Sequence, residues 1–179
     1  ASSSRSRNSA AATPDSQRIN PASGSGHRAG RRQVAARRAS FLHMLPLKTF
    51  IVEDSPLIRA NLIATLEELA AVAVVGTAED EATALEWLGN AEHAVDLVII
   101  DIFLKAGSGL GVLRYATGLP RSAKRVVLTN YATVDMRKQC LALGADKVFD
   151  KSTELEALIQ YCCLLGSGEP IDSAPGVLA

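Results

Sequence analysis

Leu97-Val98-Ile99-Ile100-Asp101 is a run of four large aliphatics that stops at an acid. Its apolarity is continuous rather than alternating, the pattern of a strand buried on both faces in a helix-covered parallel sheet. Thr49-Phe50-Ile51-Val52, Val72-Ala73-Val74-Val75-Gly76, Arg125-Val126-Val127-Leu128-Thr129 and Val148-Phe149 repeat the type to either side. Between these runs the period changes. Ile58, Leu62, Leu66 and Leu69 recur at i, i+4, i+8 and i+11, and Leu155, Leu158, Ile159 and Cys162 at i, i+3, i+4 and i+7, so each set lines one face of a helix. Ser55-Pro56 supplies a cap followed by proline at the first helical position, Asp80 or Glu79 can open a second helix, and Ser152 with Glu154 and Glu156 can open the last. Shorter patterns over residues 110–116 and 133–143 predict two more helices, and Gly76, Gly118 and Gly144 punctuate element ends. Five strands alternating with five helices predict an α/β fold, a doubly wound five-stranded parallel sheet.

The 179 residues are 47% apolar, 4% aromatic and 21% charged with three cysteines, which excludes collagen, coiled coil and disulfide-stapled classes. No apolar stretch approaches the roughly 18 residues of a membrane span. Nineteen bases balance nineteen acids, but unevenly along the chain. Residues 1–43 hold eight Arg against one acid, Asp15, and the remainder holds eleven bases against eighteen acids. Ile19 and Val34 are the only large aliphatics in residues 1–40, too few to offset chain entropy, so the expectation is a disordered Arg/Ser-rich leader over 1–43. The simplest account makes Met44 the natural start and the upstream segment a mis-assigned one, with no targeting role. A folded domain over 47–165 and a flexible Gly/Ser/Pro-rich tail over 166–179 complete the expected organisation.

Ligands of open α/β sheets bind outside the carboxyl ends of the strands. Those ends carry Glu53-Asp54 after the first strand, Asp101 after the third, Thr129 closing the fourth and Lys151 just past the fifth. Three carboxylates in one crevice repel one another unless a cation neutralises them, which implies an oxygen-ligated divalent ion. Mg²⁺ fits best, because it combines one or two carboxylates with water and phosphate oxygens. No His or Cys at the strand ends supports zinc. Lys151 offers a point charge and Thr129 a hydroxyl, both suited to a phosphoryl oxyanion.

With these residues in place, Phe50-Ile51-Val52-Glu53-Asp54-Ser55-Pro56, Leu97-Val98-Ile99-Ile100-Asp101, Val126-Val127-Leu128-Thr129-Asn130 and Phe149-Asp150-Lys151-Ser152 together resemble the receiver domain of two-component response regulators. The resemblance implies the flavodoxin-like receiver fold and a phospho-acceptor. Asp101 matches the carboxylate that takes a phosphoryl group from a phosphohistidine. Asp54 matches a direct Mg²⁺ ligand, Glu53 one acting through water, and the Phe103 backbone carbonyl the remaining protein ligand. Lys151 matches the phosphoryl counter-charge, and Thr129 the hydroxyl that moves onto the phosphoryl group and reshapes the face around the fourth helix and fifth strand. The implied partners are a sensor histidine kinase or a histidine phosphotransfer protein. Neither nucleic acid nor membrane is implied for the domain, self-association is left open, and the expected compartment is the cytoplasm. Only 28 residues follow Lys151, so the expectation is a stand-alone receiver that is not a turnover enzyme beyond slow self-phosphorylation and self-dephosphorylation.

Each residue also has a bland reading. Asp101 could cap a turn, Thr129 could be an ordinary β-branched strand residue, and Lys151 a solvated charge; their joint placement at four strand ends is what carries weight. Several positions depart from the family pattern. Lys105 stands where a Pro often follows the acceptor by four residues, although Gly109 keeps the later glycine, so that loop is expected to be less fixed. Asn130 follows Thr129 where a small residue is usual. Val148 occupies the place of an aromatic that swings inward, while Phe149 points to the opposite face by strand alternation. One rival is an aspartyl-phosphate phosphatase of the haloacid-dehalogenase type, which wants a second acid two residues after its nucleophile, where this chain has Phe103. Another is a receiver-like interaction module that is never phosphorylated. Cys140, Cys162 and Cys163 read as reduced, mostly core-facing residues, Trp87 as packing, and His93 as a solvated loop residue.

Overall fold

The computed structural model describes residues 46–120 and 122–167. The expected leader over 1–43, and all of the expected tail except Gly166 and Ser167, lie outside these residues. The strands are β1 (Leu47–Val52), β2 (Val72–Ala78), β3 (Leu97–Ile100), β4 (Lys124–Thr129) and β5 (Lys147–Asp150), and every pairing is parallel in the order β2-β1-β3-β4-β5. The helices between them are α1 (Pro56–Leu69), α2 (Glu81–Gly89), α3 (Gly109–Ala116), α4 (Val134–Ala142) and α5 (Leu155–Ser167).

Alternation along each strand decides which helical layer a side chain meets. Phe50, Val52, Val98, Ile100, Val127 and Val148 pack with Ala84 and Leu88 of α2, Val112 and Leu113 of α3 and Cys140 of α4. Ile51, Leu97, Ile99, Val126, Leu128 and Phe149 pack with Leu62 and Leu66 of α1 and with Leu158, Ile159 and Cys162 of α5. Each fully buried large aliphatic contributes about 1.5–3 kcal/mol, so the two layers, rather than helix propensity, hold the sheet. Val148 and Phe149 fall on opposite faces as strand alternation requires, and the Phe149 ring lies 5.9 Å from that of Tyr161.

Four helices start on side-chain caps. Ser55 accepts from Ile58 N–H, Asp80 from Thr83 N–H, Ser108 from Leu110 N–H and Thr133 from Met136 N–H. Gly144 sits at φ +98 just past α4, where its N–H bonds Leu141 O and the Ala145 N–H bonds Cys140 O, a pair that satisfies two orphan carbonyls of the helix end. Two local expectations change. Ser152 does not cap the last helix: it lies in the turn after β5 and bonds the Asp150 carboxylate, and the helix begins three residues later at Leu155. Gly76 does not end β2 but lies inside it, because the β1–β2 register slips between Thr49 and Phe50 and leaves Val75 as an extra residue, 42% exposed, while pairing continues to Ala78.

The reason for glycine at 76 is Trp87. A Cβ there would fall 2.6 Å from two atoms of the indole, which stacks on buried Phe50 with ring centroids 4.0 Å apart. His93, though exposed, is not merely solvated: it stacks on the same indole at 4.3 Å, with Nδ1 2.8 Å from the Trp87 carbonyl. Burial raises the Cys140 thiol, and burial followed by the neighbouring Cys163 pushes Cys162 up to about 12, in keeping with core roles.

Gly76→Ala should lower stability by about 1–3 kcal/mol in urea unfolding, the usual cost of overpacking. In a Trp87→Leu background the same substitution should cost much less. Equal penalties in the two backgrounds would show that the indole contact is not the cause.

Candidate functional site

The strand order reverses between β1 and β3, so a crevice opens at their carboxyl ends. Both ends continue the ladder by one residue before turning away. Glu53 N–H donates to Ala78 O at 3.0 Å and Asp101 N–H to Val52 O at 2.9 Å, which fixes both backbones at the crevice floor. Glu53, Asp54 and Asp101 each place a carboxylate oxygen there, all within 4.8 Å of one another. Lys151 enters from the far side of the sheet. Its N–H donates to Thr129 O at 3.0 Å, and its Nζ donates to Asp101 Oδ2 at 2.6 Å and to Glu53 Oε2.

These charges are buried: side-chain exposure is 8% for Lys151, 2% for Glu53 and 9% for Asp101. Taking an ion out of water costs several kcal/mol unless partners satisfy it. Here they do. The second oxygen of Glu53 accepts Ser55 N–H at 3.1 Å, and Asp101 Oδ1 accepts Phe103 N–H at 3.3 Å. Asp54 is half-buried with its carboxylate at the cluster edge. Thr129 is fully buried at the end of β4, and its Oγ1 accepts Tyr131 N–H at 3.4 Å. No buried side-chain nitrogen or oxygen among the described residues lacks a hydrogen-bond partner.

The structure thus brings Glu53, Asp54, Asp101 and Lys151 into direct proximity. It sets Thr129 beside them through the Lys151 backbone, and ties Phe103 to Asp101 through its own N–H. Two supporting residues were not legible in the sequence. Arg59, one turn into α1, donates through Nη1 to Glu53 O at 2.6 Å. Arg137 of α4 donates to Ala132 O at 3.1 Å, Val148 O at 2.5 Å and Glu154 Oε2 at 2.5 Å, and the same Glu154 oxygen accepts Asp150 N–H at 2.7 Å. The turn that carries Lys151 is therefore braced from α4. These arginines bond backbone carbonyls, which leave no residue-type signal, and only the Arg137–Glu154 charge pair could have suggested a contact. Phe103 and Tyr131, each more than half exposed, meet edge to face at 5.9 Å beside the crevice.

Residues 49–162 match the family model described as the response regulator receiver domain. Among curated proteins, the chain is 34% identical over 144 residues to protein-glutamate methylesterase/protein-glutamine glutaminase 5 of Myxococcus xanthus, an alignment covering 73% of this chain and 40% of that protein. The alignments span 40% to 59% of the lengths of the curated relatives it matches. Among solved structures, the receiver domain of the Francisella response regulator 1452 superposes with a TM-score of 0.60 at 18% identity, covering 68% of this chain and 98% of that one. The CheX-CheY-BeF3-Mg²⁺ complex of Borrelia burgdorferi gives 0.57 at 21%, covering 65% and 86%. At these identities the structural likeness establishes the fold.

Lys151→Met should cost about 3–5 kcal/mol in urea unfolding at neutral pH, because it strands two buried carboxylates; unchanged stability would mean the acids do not depend on the ammonium. Near it, the Ser152 hydroxyl and then the Ser152 N–H hold the Asp150 carboxyl below its usual range. A carboxyl depressed in the folded state contributes stability above its unfolded pKa and loses it as pH falls through the folded value. Ser152→Ala should raise the Asp150 midpoint in an NMR titration and shrink that acid-side contribution.

Proposed function

The chain belongs to the response regulator receiver family of two-component signal transduction, and on that premise we propose that it is a Mg²⁺-dependent phospho-acceptor switch with Asp101 as the acceptor. The observation that carries this reading is the single buried Lys151 ammonium shared by Glu53 and Asp101 inside a cluster of three carboxylates. Of the three carboxylates only Glu53 and Asp101 are paired with that ammonium, and the nearby Arg59 and Lys105 cations bond the backbone carbonyls of Glu53 and Asp54, so carboxylate oxygens remain that a divalent cation would engage. The donors are all hard oxygens, so they suit Mg²⁺. By the likeness to the family, Asp54 and Asp101 would hold the ion directly, Glu53 through water, and the Phe103 carbonyl would complete the protein set. When bound, the ion would supply positive charge against the phosphoryl oxygens.

In the reaction an Asp101 carboxylate oxygen forms a bond to phosphorus while the phosphorus–nitrogen bond of a phosphohistidine breaks, and the electron pair leaves on the imidazole nitrogen. Lys151, already bonded to Asp101, turns to a phosphoryl oxygen. Thr129, buried one strand away, is the hydroxyl positioned to follow. The donor would be a sensor histidine kinase or a histidine phosphotransfer protein. Phe103 carries no acid, so the phosphatase reading lacks its proton donor. A phosphodonor of the kinase or phosphotransfer class would act on the domain in the cytoplasm; separately, no helix among the described residues is long and apolar enough to cross a membrane.

Incubation with acetyl phosphate and Mg²⁺, followed by intact mass spectrometry, should add one phosphoryl group to the wild type. EDTA or Asp101→Asn should prevent it. An adduct that persists in Asp101→Asn would overturn the assignment, and steady turnover of phosphomonoesters would favour the phosphatase.

A further inference from the structure

The segment between Asp101 and α3 lacks the proline that often stiffens it in the family, since Lys105 stands there. It is held from outside instead. Ser108 N–H donates to Glu81 Oε2 at 2.7 Å, and Glu81 N–H donates to Ala106 O at 3.2 Å. The Glu81 side chain occupies space that two glycines leave open. A Cβ on Gly107 would fall 2.4 Å from the Glu81 Cβ, and one on Gly111 would fall 1.9 Å from Oε1. Gly107 also has φ +79, a conformation in which a side chain is strained. At its far end the segment folds back onto the acceptor's own backbone. Gly109 N–H donates to Ile102 O at 2.9 Å, and a Cβ on Gly109 would lie 1.9 Å from Asp101 O.

An acid in the first turn of a helix ordinarily serves the helix's own amides and dipole. Asp80 already does this for α2 by accepting Thr83 N–H at 2.8 Å. Glu81 instead reaches out of its helix to Ser108, 27 residues away. We propose that Glu81 is a positioning residue for the acceptor: seated between Gly107 and Gly111, its carboxylate fixes residues 102–108. With them it fixes Phe103, whose N–H bonds Asp101 Oδ1 and whose carbonyl belongs to the proposed metal set. The inference rests on the phospho-acceptor reading for its functional consequence, but not for the restraint itself.

The test compares Glu81→Ala, Glu81→Gln and Gly111→Ala with the wild type. Hydrogen exchange on the metal-free protein reads the restraint, and calorimetric titration with MgCl₂ reads its consequence. Loss of a hydrogen bond to a charged acceptor should speed Ser108 amide exchange about tenfold or more in Glu81→Ala. Mg²⁺ affinity should fall by about tenfold, the scale of a lost supporting contact around a metal. Glu81→Gln keeps an oxygen acceptor and should retain most of both. Gly111→Ala is the sharper variant. Alanine favours the helix over glycine, which offsets part of the lost contact, so its melting temperature should fall less than that of Glu81→Ala, yet its methyl evicts the carboxylate and should weaken Mg²⁺ as Glu81→Ala does. Wild-type exchange and Mg²⁺ affinity in Glu81→Ala would overturn the inference, as would normal Mg²⁺ binding by Gly111→Ala. An equal loss in Glu81→Gln would overturn it too, by showing that charge rather than the hydrogen bond matters. A wild type that binds no Mg²⁺ and takes no phosphate defeats the phospho-acceptor reading itself, an outcome distinct from these.

Discussion

Everything at the carboxyl edge of the sheet depends on one ammonium group. Glu53, Asp54 and Asp101 stand within 4.8 Å of one another, and two of them are almost wholly out of water. Without a compensating cation that arrangement would cost several kcal/mol. Lys151 compensates it from a different strand, so the cluster exists only when β1, β3 and β5 are all in register. The acids are therefore assembled by the sheet and in turn penalise any slip of it. One Lys does not balance three acids, however. The carboxylate oxygens that Lys151 does not engage are hard donors of the kind the proposed Mg²⁺ would need.

The sheet was legible because its signal is a property of residue type summed over several positions. Three- and four-residue apolar runs, each followed by Glu53, Asp101 or Thr129, can be read without knowing what they touch. The polar residues at those ends followed, since topology sends every parallel strand end to the same edge. Local features that depend on a partner distant in sequence were less legible. Gly76 looked like punctuation because an isolated glycine after a valine run usually is, whereas its cause is an indole eleven positions further on. Ser152 had the composition of a helix cap, but Asp150 competes for it and wins both its N–H and its hydroxyl, which postpones the helix to Leu155. Arg59 and Arg137 were invisible as supports because their partners are mainly carbonyls, which every residue has.

Both loops that flank Asp101, the proposed acceptor, are constrained by tertiary contacts and not by stiff local sequence. On one side, Glu81 holds Ser108 while Lys105 Nζ reaches Asp54 O at 3.4 Å, so the segment after Asp101 is tethered to α2 and to the loop after β1. On the other, Arg137 links Ala132, in the loop after Thr129, to Val148 and to the Glu154 that steadies the Lys151 turn. A proline restrains a loop whatever its surroundings do. A carboxylate or guanidinium restrains it only while the two elements keep their spacing. The placement of the loops on either side of Asp101 thus depends on the packing of α2 and α4. Val148 stands where the family often has an inward-swinging aromatic, and the contact from α4 is made instead by Arg137 to the Val148 carbonyl, which is indifferent to that residue's side chain.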